Sequence, residues 1–219
     1  MVNKKIKLCG INDLKVFKFC IEYPYSPDFL GFVFYDRSPR NINFKQAKEF
    51  ADLIPGHIKK IAVVVNPAIS DIEEIVESLK PDYIQLHGDE EPGFIEKLKE
   101  LFNIKIIKAI SVKETKDLAK VYLYTDVVDY FLFDTKSPEY GGSGKSFNWN
   151  ILDDLKLEKD CFLSGGLNID NLPDAIAKAS ANYFDLSSGI ELQKGVKDTT
   201  KIAEILDYFK AINEKTDSR

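Results

Sequence analysis

The chain has 219 residues, is 44% hydrophobic and 30% charged, and has a formal net charge of −5, which is ordinary for a globular protein with room for one sizeable core. Acidic and basic residues are interspersed, which argues against general nucleic-acid binding but not against a small anionic ligand held by backbone amides. Cys9, Cys20 and Cys161 form no CxxC or Cys/His cluster, and no apolar run approaches the ~20 residues of a membrane helix. The expectation is a reduced, cytoplasmic protein without a disulfide framework, zinc site, signal peptide or membrane span.

Short apolar runs alternate with longer amphipathic segments along the whole chain. Residues 6–9 read as a first strand, 10–12 as a turn, and Leu14, Phe17 and Ile21 as one helix face, which two prolines in 23–28 bring to an end. Strand 29–34 leads through a polar loop to a helix over 44–53. The β-branched run 61–65 is a buried strand, and 71–79 is its helix with Ser70 as N-cap. Strand 83–86 and helix 92–101 follow, with Pro92 in the first helical turn. Strand 104–110 precedes a helix at 113–122 capped by Ser111. Strand 127–133 runs into the Gly-rich stretch 141–144, after which aromatic and polar residues lead toward a helical pattern. A strand ending at 162–163, a helix over 170–179, strand 183–186 and a helix over 198–212 complete the chain, with a frayed tail from about 213.

Eight strands alternating with eight helices, without a linker or composition break, predict a parallel sheet with crossover helices. The chain length fits a single closed (β/α)8 TIM barrel over residues 1–219. An open doubly wound sheet is the alternative, but the GxGxxG fingerprint after the first strand is absent.

In such barrels the reactive groups gather at the C-terminal ends of the strands. Cys9, at the end of strand one, is either a small buried hydrophobe or a thiolate base aided by the following helix N-terminus. Asp134 ends an apolar strand and is either a local cap or a general acid. Gly165–Gly166 and Ser188–Gly189 fall in the loops after strands seven and eight, where barrels often bind phosphate on backbone amides. Arg40 has the fork geometry to pair with a carboxylate, whereas Arg37 reads as exposed. His87 suits a core or supporting position better than a proton carrier. Lys108 reads as a Schiff-base or phosphate contact, or as a structural lysine. Cys20 and Cys161 lie away from the reactive rim.

The segments KLCGI (7–11), GFVFYDRSPRNI (31–42), VVVN (63–66), QLHGDE (85–90), FDTKSPEYGGSGKSFNW (133–149), LSGGLNIDNL (163–172) and FDLSSGIELQKGVKD (184–198) together resemble the phosphoribosylanthranilate isomerase family of tryptophan biosynthesis, in the family's order and along nearly the whole chain. The resemblance implies an Amadori rearrangement of N-(5-phosphoribosyl)anthranilate by general acid/base catalysis, with no cofactor or metal. It implies Asp134 as the acid, Cys9 as the base and Arg40 at the anthranilate end. It implies phosphate contacts from Gly165, Gly166, Ser188 and Gly189, and further substrate contacts from His87, Asp185, Gly142 and Gly144, with 141–145 as a closing lid. The implied partner is a small phosphosugar, not nucleic acid or membrane, and the implied assembly is a monomer or homodimer.

Two departures stand out. Asn12 replaces a threonine common in the family, and EYPYSPDF (22–29) replaces the usual approach to strand two. The competing readings are less well supported. Indole-glycerol-phosphate synthase needs a catalytic lysine and glutamates that find no convincing place. A dual-substrate sugar isomerase uses paired aspartates, yet Cys9 stands where one is expected. A non-catalytic phosphate-binding barrel would have no need of both Cys9 and Asp134.

Overall fold

The computed structural model describes residues 3–135, 148–152, 155, 157 and 159–217. The predicted lid at 141–145, with Gly142 and Gly144, lies outside them. Eight strands close into a barrel in chain order: β1 (Lys5–Cys9), β2 (Phe29–Phe34), β3 (Lys59–Val64), β4 (Tyr83–Leu86), β5 (Lys105–Val112), β6 (Tyr130–Thr135), β7 (Cys161–Leu163) and β8 (Tyr183–Leu186). Every neighbouring pair is parallel, including β1 with β8, so no barrel edge is left open.

The period-2 alternation of each strand divides its side chains between two cores. Ile6 and Leu8 of β1, Leu30 and Phe32 of β2 and Phe184 and Leu186 of β8 pack outward under the helices. Cys9, Phe29, Val33, Val63, Leu132 and Phe162 face the barrel interior. The end away from the loops after the strands is closed by rings in edge and tilted contact, with Phe29, Tyr83, Tyr130, Phe162 and Tyr183 at centroid distances of 4.9–6.0 Å. This aromatic floor leaves the opposite mouth as the open end.

The helices are α1 (Leu14–Glu22), α2 (Phe44–Leu53), α3 (Ile69–Leu79), α4 (Pro92–Leu101), α5 (Leu172–Lys178) and α6 (Thr199–Asp217). Two of the expected α-helices are replaced among the described residues. The β5–β6 connection carries a 3-10 segment, Thr115–Leu123, and another, Trp149–Leu152, precedes β7. Ser111 caps nothing: it stays in β5, paired with Asp134, because strand pairing there outcompetes a helix start. Ser70 is also not a cap. α3 begins one residue before it, and the Asp71 carboxylate accepts from the Ala68 backbone N–H at 2.8 Å. The C-terminal helix continues past 213. Asn213 is buried, accepts from the Lys4 N–H at 2.9 Å and donates to the Lys4 carbonyl and the Tyr25 hydroxyl, each at 2.8 Å. That anchor carries α6 on to Asp217. A hairpin absent from the sequence reading, β9 (Glu191–Gln193) with β10 (Val196–Lys197), follows β8 and leans against the loop after β2, where a Cβ on Gly195 would come within 2.9 Å of Pro39.

Candidate active site

At the C-terminal ends of the strands an open pocket is lined by predicted residues from six different strands or the loops after them: Cys9, Arg40, His87, Asp134, Gly165 and Gly166, and Asp185 with Ser188. Gly189 lines an adjoining open pocket, which shares Gly166 and Ser188 with the first. Lys108 is not brought into the central cavity. Arg37 is exposed, as expected.

Alternation in β1 points Lys7 and Cys9 into the barrel. Gly31 lies beside them, and a Cβ there would stand 2.9 Å from Cys9 Sγ and 3.0 Å from Lys7 Cε, so the glycine is what lets both side chains fit. Lys7 is fully buried, with its ammonium 3.0 Å from Asp185 Oδ1 on the adjacent β8 and 2.7 Å from Gln85 Oε1 on β4. Burial opposes its charge, but Asp185 and then Cys9 outweigh that, and the Lys7 pKa is raised. Cys9 responds differently. Burial pushes its thiol pKa up, against the pull of Lys7 and Lys197. The helix terminus expected to act on Cys9 lies further off than the sequence spacing suggests: α1 starts five residues on, and the Asp13 carboxylate caps it by accepting from the Lys15 and Val16 N–H groups. The cations near the thiol are Lys7 and Lys197, with Arg40 coupled to it as well. Cys20 is inert core, its thiol pushed up to about 12 by burial, and Cys161, pushed to about 11, sits at the start of β7.

Arg40 reaches the cavity rim braced from behind. Its Nε donates to Glu191 Oε1 at 2.6 Å and its Nη2 to Oε2 at 2.9 Å, and Lys197 Nζ donates to the same Oε1 at 2.8 Å. Burial disfavours the Glu191 charge, yet Arg40 and Lys197 prevail and hold its carboxyl down at about 2. Two cations on one carboxylate leave a surplus positive charge at the rim, suited to an anionic group of a ligand. Lys197 also donates to the Ser187 carbonyl at 2.9 Å, and the Ser187 hydroxyl donates to the Cys9 carbonyl at 3.1 Å, which ties the Arg40 support to the end of β1.

Asp134 projects from β6 across the cavity. Its Oδ1 accepts from the Thr135 N–H at 2.8 Å, and its Oδ2 lies 3.3 Å from His87 Nε2. The loop after β7 takes positive φ at Gly165 (93°) and Gly166 (66°), with the Gly166 carbonyl turned toward Asn171 Nδ2 at 2.9 Å. A Cβ on Gly189 would overlap the Leu167 carbonyl, so only glycine lets the loops after β7 and β8 close on each other. This is a backbone-lined cradle of the kind that accepts a phosphate.

Among the residues of the site that escaped the sequence reading are Lys7, Gln85, Glu191 and Lys197. Lys7 and Gln85 carried a usable signal, being polar residues at inward positions of otherwise apolar strands. Glu191 and Lys197 carried none, because their partner Arg40 is 151 residues away from Glu191.

The family model described as N-(5'phosphoribosyl)anthranilate (PRA) isomerase matches residues 6–208. A Rhizobium rhizogenes N-(5'-phosphoribosyl)anthranilate isomerase is 39% identical over 210 residues, 94% of each chain, and the Sinorhizobium fredii isomerase is 40% identical over 208 residues, covering 93% of this chain and 90% of its own. The phosphoribosyl anthranilate isomerase structure from Thermotoga maritima superposes with a TM-score of 0.86 at 33% identity, covering 95% of this chain and 99% of that one. An isomerase solved with reduced 1-(o-carboxyphenylamino)-1-deoxyribulose 5-phosphate superposes with a TM-score of 0.82 at 28% identity, with the same coverage. A further structure is of monomers generated from the dimeric Thermotoga maritima isomerase. With a barrel, a mouth-side cavity and a match over nearly its whole length, the chain belongs to the N-(5'-phosphoribosyl)anthranilate isomerase family.

Proposed function

We propose that this chain converts N-(5-phosphoribosyl)anthranilate to 1-(2-carboxyphenylamino)-1-deoxyribulose 5-phosphate, the isomerisation step of tryptophan biosynthesis, with Asp134 as general acid and Cys9 as general base. The observation that carries this reading is the meeting of thiol and carboxyl in one cavity, between the Arg40 rim and the Gly166–Ser188 cradle. Asp134 gives its proton to the furanose ring oxygen as the C1–O bond breaks, and the anthranilate nitrogen supplies the electrons for a protonated imine. That imine acidifies the proton on C2, which the Cys9 thiolate removes to leave an enolamine. Protonation at C1 and loss of the C2 hydroxyl proton then give the ketone, so the reaction is a net isomerisation.

The Cys9 thiol, raised by burial, is a strong base once ionised, and Lys7 and Lys197 are the cations that favour its thiolate. Arg40 pairs with the anthranilate carboxylate, the loops at Gly165, Gly166, Ser188 and Gly189 hold the phosphate, and Asp185 acts through Lys7. Among the described residues, no helix is long and apolar enough to cross a membrane. Fluorescence turnover on freshly generated phosphoribosylanthranilate tests the assignment. Cys9→Ala and Asp134→Asn should each lower kcat by about 10²–10⁴-fold, with circular dichroism unchanged. Wild-type turnover in either purified variant removes that residue from its role.

A further inference from the structure

Gln85 and His87 stand between the base side of the cavity and Asp134, and neither carries a proton in the steps above. Their hydrogen bonds have a direction that the chemistry of Lys7 fixes. The Lys7 ammonium only donates, so the Gln85 oxygen must face it, at 2.7 Å. That turns the Gln85 amide nitrogen toward His87 Nδ1, at 3.0 Å. An amide nitrogen also only donates, so Nδ1 accepts, and the ring proton of the neutral imidazole is left on Nε2. Nε2 is the atom 3.3 Å from Asp134 Oδ2. Lys7 and Gln85 are buried to 0% and 1% exposure, so no solvent exchange scrambles these orientations.

We propose that Lys7, Gln85 and His87 form a tautomer lock that makes His87 the positioning residue for the Asp134 carboxyl. The inference rests on the isomerase reading and extends it. The terminal torsion of an aspartate is broad, so one contact does not fix the carboxyl plane. The Thr135 N–H holds Oδ1 at 2.8 Å, and His87 Nε2, 3.3 Å from Oδ2, is the group placed to become the second point of attachment. With one lone pair of each oxygen so used, the acidic proton occupies one of the remaining lone pairs. A separation of 3.3 Å is long for a finished hydrogen bond, and such contacts shorten when substrate closes a site. The lock starts at Lys7, which also stands against Cys9, so a single buried cation sets the surroundings of the base and the aim of the acid.

Two readouts separate this role from that of a simple cavity wall. The chain has only two histidines, so ¹⁵N-histidine spectra can be assigned with one variant, His57→Gln. His87 should show an unprotonated Nδ1 and a protonated Nε2, and Gln85→Glu, whose carboxylate accepts from Nδ1–H, should move the proton to Nδ1. In turnover, the amide nitrogen introduced by His87→Gln reaches as far as Nε2, whereas the one introduced by His87→Asn reaches only as far as Nδ1. His87→Gln should keep kcat within about threefold of wild type, while His87→Asn and His87→Ala lose about 10–100-fold in kcat with KM little changed. A protonated Nδ1 in the wild type, or equal kcat in the His87→Gln and His87→Asn variants, overturns the proposal. Failure of the wild type to turn over the substrate overturns the isomerase reading instead, and the spectra still decide the tautomer.

Discussion

Two buried glutamates sit at the same rim of the barrel, Glu191 after β8 and Glu90 after β4, each 6% exposed and each facing cations. Glu191 holds Arg40 and Lys197, and Arg40 lines the cavity. Glu90 holds Lys108 at 3.0 Å, and its carboxylate also accepts from the Asn66 N–H at 2.8 Å and the Gly88 N–H at 3.0 Å. Lys108 in turn donates to the Gly88 carbonyl at 2.7 Å and stands 5.4 Å from the centre of the Tyr124 ring. The first cluster has one cation more than it has carboxylates and presents it to the cavity. The second is balanced and turned inward, a clamp on the loops after β3 and β4. A buried cation near a strand end therefore marks a binding site only when its charge is not already matched. The open choice for Lys108 closes on this point: it is structural, and the geometry gives it neither a Schiff-base nor a phosphate role.

The contrast breaks first at the clamp. Glu90→Ala leaves Lys108 buried without its partner carboxylate and should cost about 3–5 kcal/mol of stability. Urea unfolding measures this, and a midpoint equal to wild type means the clamp is not what holds the loops. The next effect belongs to the rim. Arg40→Ala should raise KM by about 10–100-fold, the loss of a charge-assisted pair, while stability changes little because Lys197 still faces Glu191. An analogue lacking the anthranilate carboxylate should lose the same factor on wild type and nothing more on Arg40→Ala. A further loss there would place the carboxylate elsewhere.

The smallest effect is in acid. The Glu191 pKa is lowered to about 2 in the fold from an ordinary value of 4.5, so its ion pairs stabilise fully above that ordinary value and are lost as pH falls toward 2. Glu191→Gln should flatten the stability profile between those limits, and an unchanged acid limb would remove Glu191 as its source.

Strand and helix positions were legible where periodicity was strong. β2, β4 and β8, with α2 and α4, fall where the alternation and the 3.6-residue pattern put them. The errors lie where tertiary pairing overrides a local signal. Ser111 is a good cap residue that β6 recruits into a strand, and the polar 213–217 segment stays helical because Asn213 is bonded to Lys4 and Tyr25. The unusual residues before β2 do structural work. Asp28 accepts from the Ile6 N–H at 2.9 Å, which stitches the segment to β1. Asn12 likewise donates to the Pro39 carbonyl at 3.1 Å.

For the site, the sequence by itself determined several of the residues that reach the mouth, because strand ends and period-2 alternation are local properties. Cys9, Arg40, His87, Asp134 and the glycine loops were placed by that logic, and they do line the mouth-side cavities. Only the tertiary structure decided what those residues touch. Closing the barrel sets Lys7 beside Asp185, brings Gln85 between Lys7 and His87, and folds the β9–β10 hairpin back so that Glu191 grips Arg40. The physical reason is that charge and hydrogen-bond direction depend on neighbours across the barrel, not along the chain. A thiol next to a helix start in sequence is, in the fold, a buried thiol among lysines.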